Sequence, residues 1–107
     1  MQTIIEFGDF YKNALKLLGE DGHEELISFI ASSPDAGDII SGTGGFRKLR
    51  FKRSGIGKSG GVRIIYFFHT PNKPIMLFMI YAKNEMENLT DSQKNWLHQQ
   101  SKILKGD

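Results

Sequence analysis

The sequence predicts a small α+β domain in the order β-α-α-β-β-β-α, with helices packed on one face of a mainly antiparallel, twisted sheet. Three observations predict it. Apolar residues recur at helical spacing near both ends of the 107-residue chain, from Tyr11 to Ile30 and from Trp96 to Leu104. The middle is built of short stretches dense in β-branched and aromatic residues, as strands are. Between two of these, Thr70-Pro71-Asn72-Lys73-Pro74 carries proline and asparagine at the turn positions of a hairpin. The length implies one domain over residues 1–107.

Each element has its own justification. Thr3–Phe7 reads as a short first strand. Asp9 is placed to N-cap a helix through Tyr11, Ala14, Leu15 and Leu18, which Gly19 stops. A second helix starts near Asp21, with Leu26, Ile27, Phe29 and Ile30 as its apolar stripe. It ends before Ser33-Pro34, because the residue before proline is pushed out of helical geometry. Residues 34–45 are rich in turn formers and read as a loop. Phe46–Lys52 alternates, with Phe46, Lys48, Arg50 and Lys52 on one face and Arg47, Leu49 and Phe51 on the other. Residues 54–61 form a glycine-rich, basic turn. Val62–His69 is a strand, and Ile75–Ala82 its antiparallel partner, apolar on both faces and therefore central. Thr90 or Asp91 caps a last helix whose Trp96, Leu97, Gln100, Ile103 and Leu104 face the sheet.

Charge divides the chain more sharply than the net +2 conveys. Between Ile39 and Asn84 lie nine cationic side chains and no carboxylate: Arg47, Lys48, Arg50, Lys52, Arg53, Lys58, Arg63, Lys73 and Lys83. Residues 1–38 carry eight acids against two lysines. A solvated face normally mixes the two signs, so the middle of the chain points to a polyanion, most commonly nucleic acid. An acidic protein surface is the rival partner. If Arg63 points the same way as Lys48 and Arg50, three cations converge on the concave side of the sheet.

Other chemistries are excluded by composition. Without cysteine there is neither a disulfide framework nor a thiolate. No apolar run approaches the ~20 residues of a membrane span, and the N-terminus lacks the basic and apolar regions of a secretory signal. A cytoplasmic protein with no membrane association is the expectation. His23, His69 and His98 are widely separated and match no zinc-ligand spacing, so no metal or cofactor is expected. His69, closing a central strand, is the one histidine placed to carry a proton. Gly55-Ile56-Gly57-Lys58-Ser59 lacks the first glycine of a phosphate loop and leads into a strand rather than a helix, so it reads as a basic turn touching a nucleic-acid backbone. Tyr66 and Tyr81 flank the basic patch, as core rings or as platforms for bases.

Gly42-Thr43-Gly44-Gly45-Phe46-Arg47-Lys48-Leu49-Arg50, then Gly61-Val62-Arg63-Ile64-Ile65-Tyr66-Phe67-Phe68, then Ile80-Tyr81-Ala82-Lys83-Asn84-Glu85 resemble the RelE/ParE superfamily of toxins from type II toxin–antitoxin systems. The likeness is closest to its HigB-like branch and spans residues 33–104. It implies a RelE-like domain acting as a ribosome-dependent endoribonuclease that cuts mRNA in the decoding site. It also implies a cognate antitoxin, typically with a helix-turn-helix domain, through which alone the toxin would meet operator DNA. Lys48, Arg50 and Arg63 match cationic positions of the family's nucleases. Asn84 stands where RelE has an arginine, and Thr90 where it has a tyrosine near the start of the last helix.

The residues themselves suit metal-independent RNA cleavage by the 2′-OH. That reaction needs a proton acceptor, a stabiliser for the charged pentacoordinate phosphate, and a proton for the leaving oxygen. Arg63 is the bidentate clamp. Lys48, crowded by Arg47 and Arg50, is the expected general base, because like charges disfavour its charged form. Tyr66 or Tyr81 orients the nucleotide, Lys83 completes the catalytic set, and Arg47, Lys52, Arg53, Lys58 and Asn84 bind RNA. The rival from another class is a non-catalytic, ParE-like inhibitor of DNA gyrase, which has no need of cations clustered in one concavity. A plain RNA-binding module would bind without cutting.

Overall fold

The structure, a computed structural model, describes residues 2–52, 61–86 and 88–106. Strand β1 (Ile4–Glu6) leads into helix α1 (Phe10–Ser32). Strands β2 (Asp38–Ile39), β3 (Phe46–Phe51), β4 (Val62–Phe67) and β5 (Ile75–Ala82) follow, and helix α2 (Asp91–Lys105) closes the fold. The five strands form one sheet in the order β1-β5-β4-β3-β2. All neighbours are antiparallel except β1 and β5, which run parallel with Ile4 beside Ile75.

Two helices stand where the sequence predicts three. Gly19 does leave helical geometry, at φ 74° and ψ 176°. Glycine adopts that backbone without the Cβ clash any other residue would meet. No loop separates the two arms, however, so they continue as one kinked helix. Its buried residues, Phe10, Ala14, Leu18, Gly22, Leu26 and Ile30, recur every fourth position straight through the kink. Asp9 occupies the N-cap position but makes no side-chain capping bond.

Strand β2 is the second departure. Its two residues lie in the segment expected to be loop, and they add an edge to β3 by pairing Asp38 with Lys48 and Ile39 with Arg47. Two residues are too few for an alternating pattern to register in the sequence.

The helices also lie on opposite faces rather than one. Phe10, Ala14, Leu18, Leu26 and Ile30 of α1 pack on Leu49, Phe51, Val62, Ile64, Tyr66, Leu77 and Ile80. On the other side, Leu97 and Leu104 of α2 join Phe46, Ile65, Phe67, Phe78 and Tyr81. The reason is visible in β4 and β5: both are apolar on both faces, so each face needs a cover. A register shift between Ile65 and Tyr66 leaves Phe78 unpaired. Phe78 turns into the α2-side core, stacked on Phe7 at 4.6 Å and edge-on to Phe46 at 4.9 Å.

Thr90 caps α2 through a capping box: its hydroxyl accepts from Gln93 N, while the Gln93 side chain accepts from Thr90 N. The buried stripe of α2 is Leu97 and Ser101, with Leu104 half-buried. Trp96 and Ile103, expected inward, are 42% and 70% exposed. Small residues decide this contact. Gly44, at φ 77°, lies so close to Ser101 that an added Cβ would collide with its side chain. The loop before β3 therefore presses directly on the middle of α2.

Candidate functional site

The register of the three central strands builds the site. Residues directly opposite in an antiparallel ladder share a face. Arg50 pairs with Arg63, and Arg63 with Tyr81, so these three form one row across β3, β4 and β5 on the α2 side. The expected convergence of Arg63 with Lys48 and Arg50 on one face is what the ladder shows. One step further, Lys83 N donates to Gly61 O at 3.3 Å, which carries the β4–β5 ladder past the strand ends. The same alternation puts Lys52, Gly61 and Lys83 in a second row, about 7 Å along the strands from the first. Gly61 supplies no side chain, so the second row has a gap between two lysines. An ideal Cβ at Gly61 would touch Arg63 Nη1 at 3.6 Å.

A shallow, open pocket of about 210 Å³ sits at this end of the sheet, lined by Arg50, Phe51, Lys52, Gly61, Arg63 and Lys83. Arg50, Lys52 and Lys83 are exposed and Arg63 is half-buried. Like charges directly opposite one another destabilise a sheet. The Arg50–Arg63 pairing therefore keeps a local cost that a bound anion would relieve. The nearest downstream carboxylate does nothing to offset it, because Glu85 Oε1 accepts from Ala82 N at 2.8 Å and lines a different cavity with Asn13, Lys16 and Leu17.

Not every cation of the middle segment belongs here. Arg47 alternates to the α1 side and donates to the carbonyls of Asp35 and Gly37 at 3.1 and 2.8 Å. Lys73 lies at the opposite end of the sheet, where its ammonium donates to Leu104 O and Lys105 O at 3.3 and 2.7 Å and so caps the C-terminus of α2. His69 is at that far end too, stacked on Phe67 beside Lys73. Asn84 is exposed on the turn after β5 but does not line the pocket. Thr90 is committed to its helix cap. Arg53 and Lys58, with the glycine-rich turn that holds them, lie outside the described residues.

Lys48 shares the face of Arg50 but sits one row back, opposite Ile65 on β4 and Asp38 on β2. Its expected crowding by two arginines is therefore halved, since Arg47 points to the other side of the sheet. The β2–β3 register instead sets Asp38 opposite it, with no ion pair between the two side chains among the described residues. Asp38 is half of a two-residue edge strand, and only the β2–β3 register shows the pairing.

The two tyrosines part company. Tyr66 pairs with Arg47 rather than with the cationic row, and it is completely buried on the α1 side. Its hydroxyl donates to Pro34 O at 2.8 Å and accepts from Gly37 N at 2.9 Å. Burial pushes its pKa above the ordinary 10.0, against the opposing pull of the Gly37 bond and the Arg47 charge. Tyr66 thus braces the loop before β2 and is no part of the pocket, contrary to the expectation that it orients a nucleotide. Gly37 is glycine for the same reason: an added Cβ would lie 2.9 Å from Tyr66 Cε1. Tyr81 remains beside Arg63, 6% exposed, with a buried hydroxyl that has no hydrogen-bond partner among the described residues. Its pKa is also raised by burial, partly offset by the charge of Arg63.

Among the described residues, no group of three or more histidine and acidic side chains is placed to hold a metal ion, and no helix is long and apolar enough to cross a membrane. The family model for the RelE toxin of the RelE/RelB toxin–antitoxin system matches residues 26–106, which takes in the last two turns of α1, the whole cationic end of the sheet and α2. With the match covering most of the chain and the arginine pair at its centre, the chain belongs to the RelE toxin family: it is the toxin of a toxin–antitoxin system, and its cognate antitoxin is a partner.

Proposed function

We propose that this toxin is a ribosome-dependent endoribonuclease that cuts mRNA in the decoding site. The observation that carries the reading is the pair of rows Arg50–Arg63–Tyr81 and Lys52–Gly61–Lys83, an anion-shaped end of a sheet whose middle segment contributes no carboxylate to the pocket. The three motifs around Arg50, Arg63 and Lys83 also support a place in the HigB-like branch.

In the reaction, the 2′-oxygen attacks the adjacent phosphorus, its proton passes to a base, the P–O5′ bond breaks, and the 5′-oxygen takes up a proton. Arg63, held half-buried at the head of β4, grips two phosphate oxygens and stabilises the charge of the pentacoordinate state. Arg50 adds a second guanidinium from the neighbouring strand. Lys52 and Lys83 flank the gap at Gly61 and hold the backbone on either side. Lys48, on the same face and one row back, is the general base of this reading. The pocket is shallow, so the toxin holds a single-stranded substrate poorly by itself, and a ribosome that fixes the message in line supplies the missing orientation.

The test is translation of a defined message in a purified system, with new 5′ ends mapped after the toxin is added. Cleavage at discrete positions only when ribosomes are present is the expected result. Intact message with translation arrested would reject the nuclease reading, and a block of gyrase supercoiling would put the ParE-like inhibitor in its place. Binding to RNA with neither effect would leave a plain RNA-binding module.

A further inference from the structure

Among the described residues, Tyr81 presents a buried hydroxyl with no hydrogen-bond partner. Buried polar groups are nearly always satisfied, and an orphan costs stability that an isosteric phenylalanine would not. Tyr66, on the next strand and more deeply buried, has both of its hydroxyl bonds. Among the described residues, Arg47 Nε and the Tyr81 hydroxyl are the two buried side-chain polar atoms without a partner. Arg47 still bonds two carbonyls through Nη1, whereas Tyr81 has no bond at its hydroxyl, and its place in the ladder supplies a reason. It is the register partner of Arg63 on the same face, with Cβ atoms about 5 Å apart by ladder geometry.

Arg63 itself has little to hold it among the described residues. Among the described residues, its guanidinium donates one long bond of 3.3 Å to the carbonyl of its own neighbour Val62. A cation does not settle against an apolar interior without a counterion, because losing its hydration costs more than one neutral hydrogen bond returns. A phosphodiester changes that balance by pairing with the charge.

We propose that Tyr81 is the positioning residue of Arg63: once a phosphate neutralises the guanidinium, Arg63 leaves the Val62 carbonyl and turns one N–H onto the Tyr81 hydroxyl, which fixes the fork that grips the phosphate. The orphan hydroxyl of the free toxin is the partner kept for the loaded state. Ring packing against Phe78, Leu89 and Leu97 holds it still, so the arginine is oriented by the α2-side core rather than by solvent. This deepens the RNA-cleavage reading and rests on it for the identity of the anion.

Tyr81→Phe keeps the ring and deletes only the hydroxyl. The expected result is a melting temperature equal to or above that of the parent, together with a rate on saturated ribosomes about tenfold lower, equivalent to about 1.4 kcal/mol of barrier, and little change in KM. In an Arg63→Lys background, which has no fork to align, Tyr81→Phe should have no further effect. A wild-type rate for Tyr81→Phe, or a lowered melting temperature, would overturn the proposal, the second by showing that the hydroxyl is satisfied in the free fold. One readout does not need cleavage: titration with inorganic phosphate, followed by proton exchange at Arg63 Nε–H in nitrogen-15 spectra. Phosphate should slow that exchange in the parent and not in Tyr81→Phe. Equal slowing, or none in either protein, overturns the pairing. Should the parent fail to cut on ribosomes, the nuclease reading falls and this phosphate measurement alone decides for or against the positioning role.

Discussion

The two faces of the sheet use the same residue types to opposite ends. On the α1 side, Tyr66 and Arg47 are cross-strand partners that bond the backbone of residues 34–37 through the tyrosine hydroxyl and Arg47 Nη1, with Arg47 Nε buried and unpartnered among the described residues. On the α2 side, Tyr81 and Arg63 are also cross-strand partners, yet among the described residues the tyrosine hydroxyl is orphaned and the arginine has one long bond to its neighbour. The first pair spends its hydrogen bonds on the fold; the second leaves them open. Local sequence does not separate the pairs, since each is an arginine and a tyrosine in strands of similar composition. What differs is the neighbourhood: a loop folds back over Tyr66, whereas the strand ends beside Arg63 open onto the pocket.

The largest effect that would test this contrast is Arg63→Ala. Loss of a transition-state clamp costs about 10²–10³ in rate, measured as cleavage of a defined message on ribosomes. Its circular dichroism should be unchanged, because Val62, Ile64 and Ile65 supply the packing of β4. A folded Arg63→Ala toxin that cuts at the parent rate would erase the distinction between the faces.

Tyr66→Phe probes the other pair. It orphans Pro34 O and Gly37 N and should cost about 2 kcal/mol, or roughly 10 °C in Tm. Cleavage by the folded protein should be unaffected. Thermal melts would thus rank the two tyrosine-to-phenylalanine variants in opposite directions, and a matched pair of losses would break the comparison.

Lys52→Gln combined with Lys83→Gln acts on affinity. If each lysine meets one phosphate, the log–log salt dependence of ribosome binding should flatten by about 1.4. An unchanged slope in a binding titration would remove both lysines from the RNA path.

The smallest effect lies at high pH. Burial raises the pKa of both tyrosines, so the folded chain keeps protons that the unfolded chain releases. Their stabilising contribution is complete below about pH 10 and is lost as pH rises through the folded pKa values. Urea unfolding above pH 10 should show that decline, and each tyrosine-to-phenylalanine change should make it shallower. Because the Arg63 charge lowers the pKa of Tyr81, Arg63→Ala should shift the ionisation of Tyr81 to higher pH in a spectrophotometric titration and leave Tyr66 where it is.

The sequence by itself determined the α+β class, the strands around Phe46, Val62 and Ile75, the start of the last helix at Thr90 or Asp91 and the faces of β3. These follow from short-range rules: alternation, turn chemistry and capping act between residues a few positions apart. It also determined the charge segregation that marks the middle of the chain, and the motif set that carries the family resemblance. Only the tertiary structure decided which of those charges meet. Arg47 and Lys73 looked equivalent to Arg50 and Lys83 until the fold gave them backbone carbonyls to hold. Asp38 lies ten residues from Lys48, and only the register of an edge strand two residues long sets it opposite. Tyr66 and Tyr81 were separated by strand register, a long-range property that shifts every side chain to the other face when it slips by one residue. The kink at Gly19 could be read as a helix end, because a glycine at positive φ serves either purpose, and only the packing of both arms on one core joined them into a single helix.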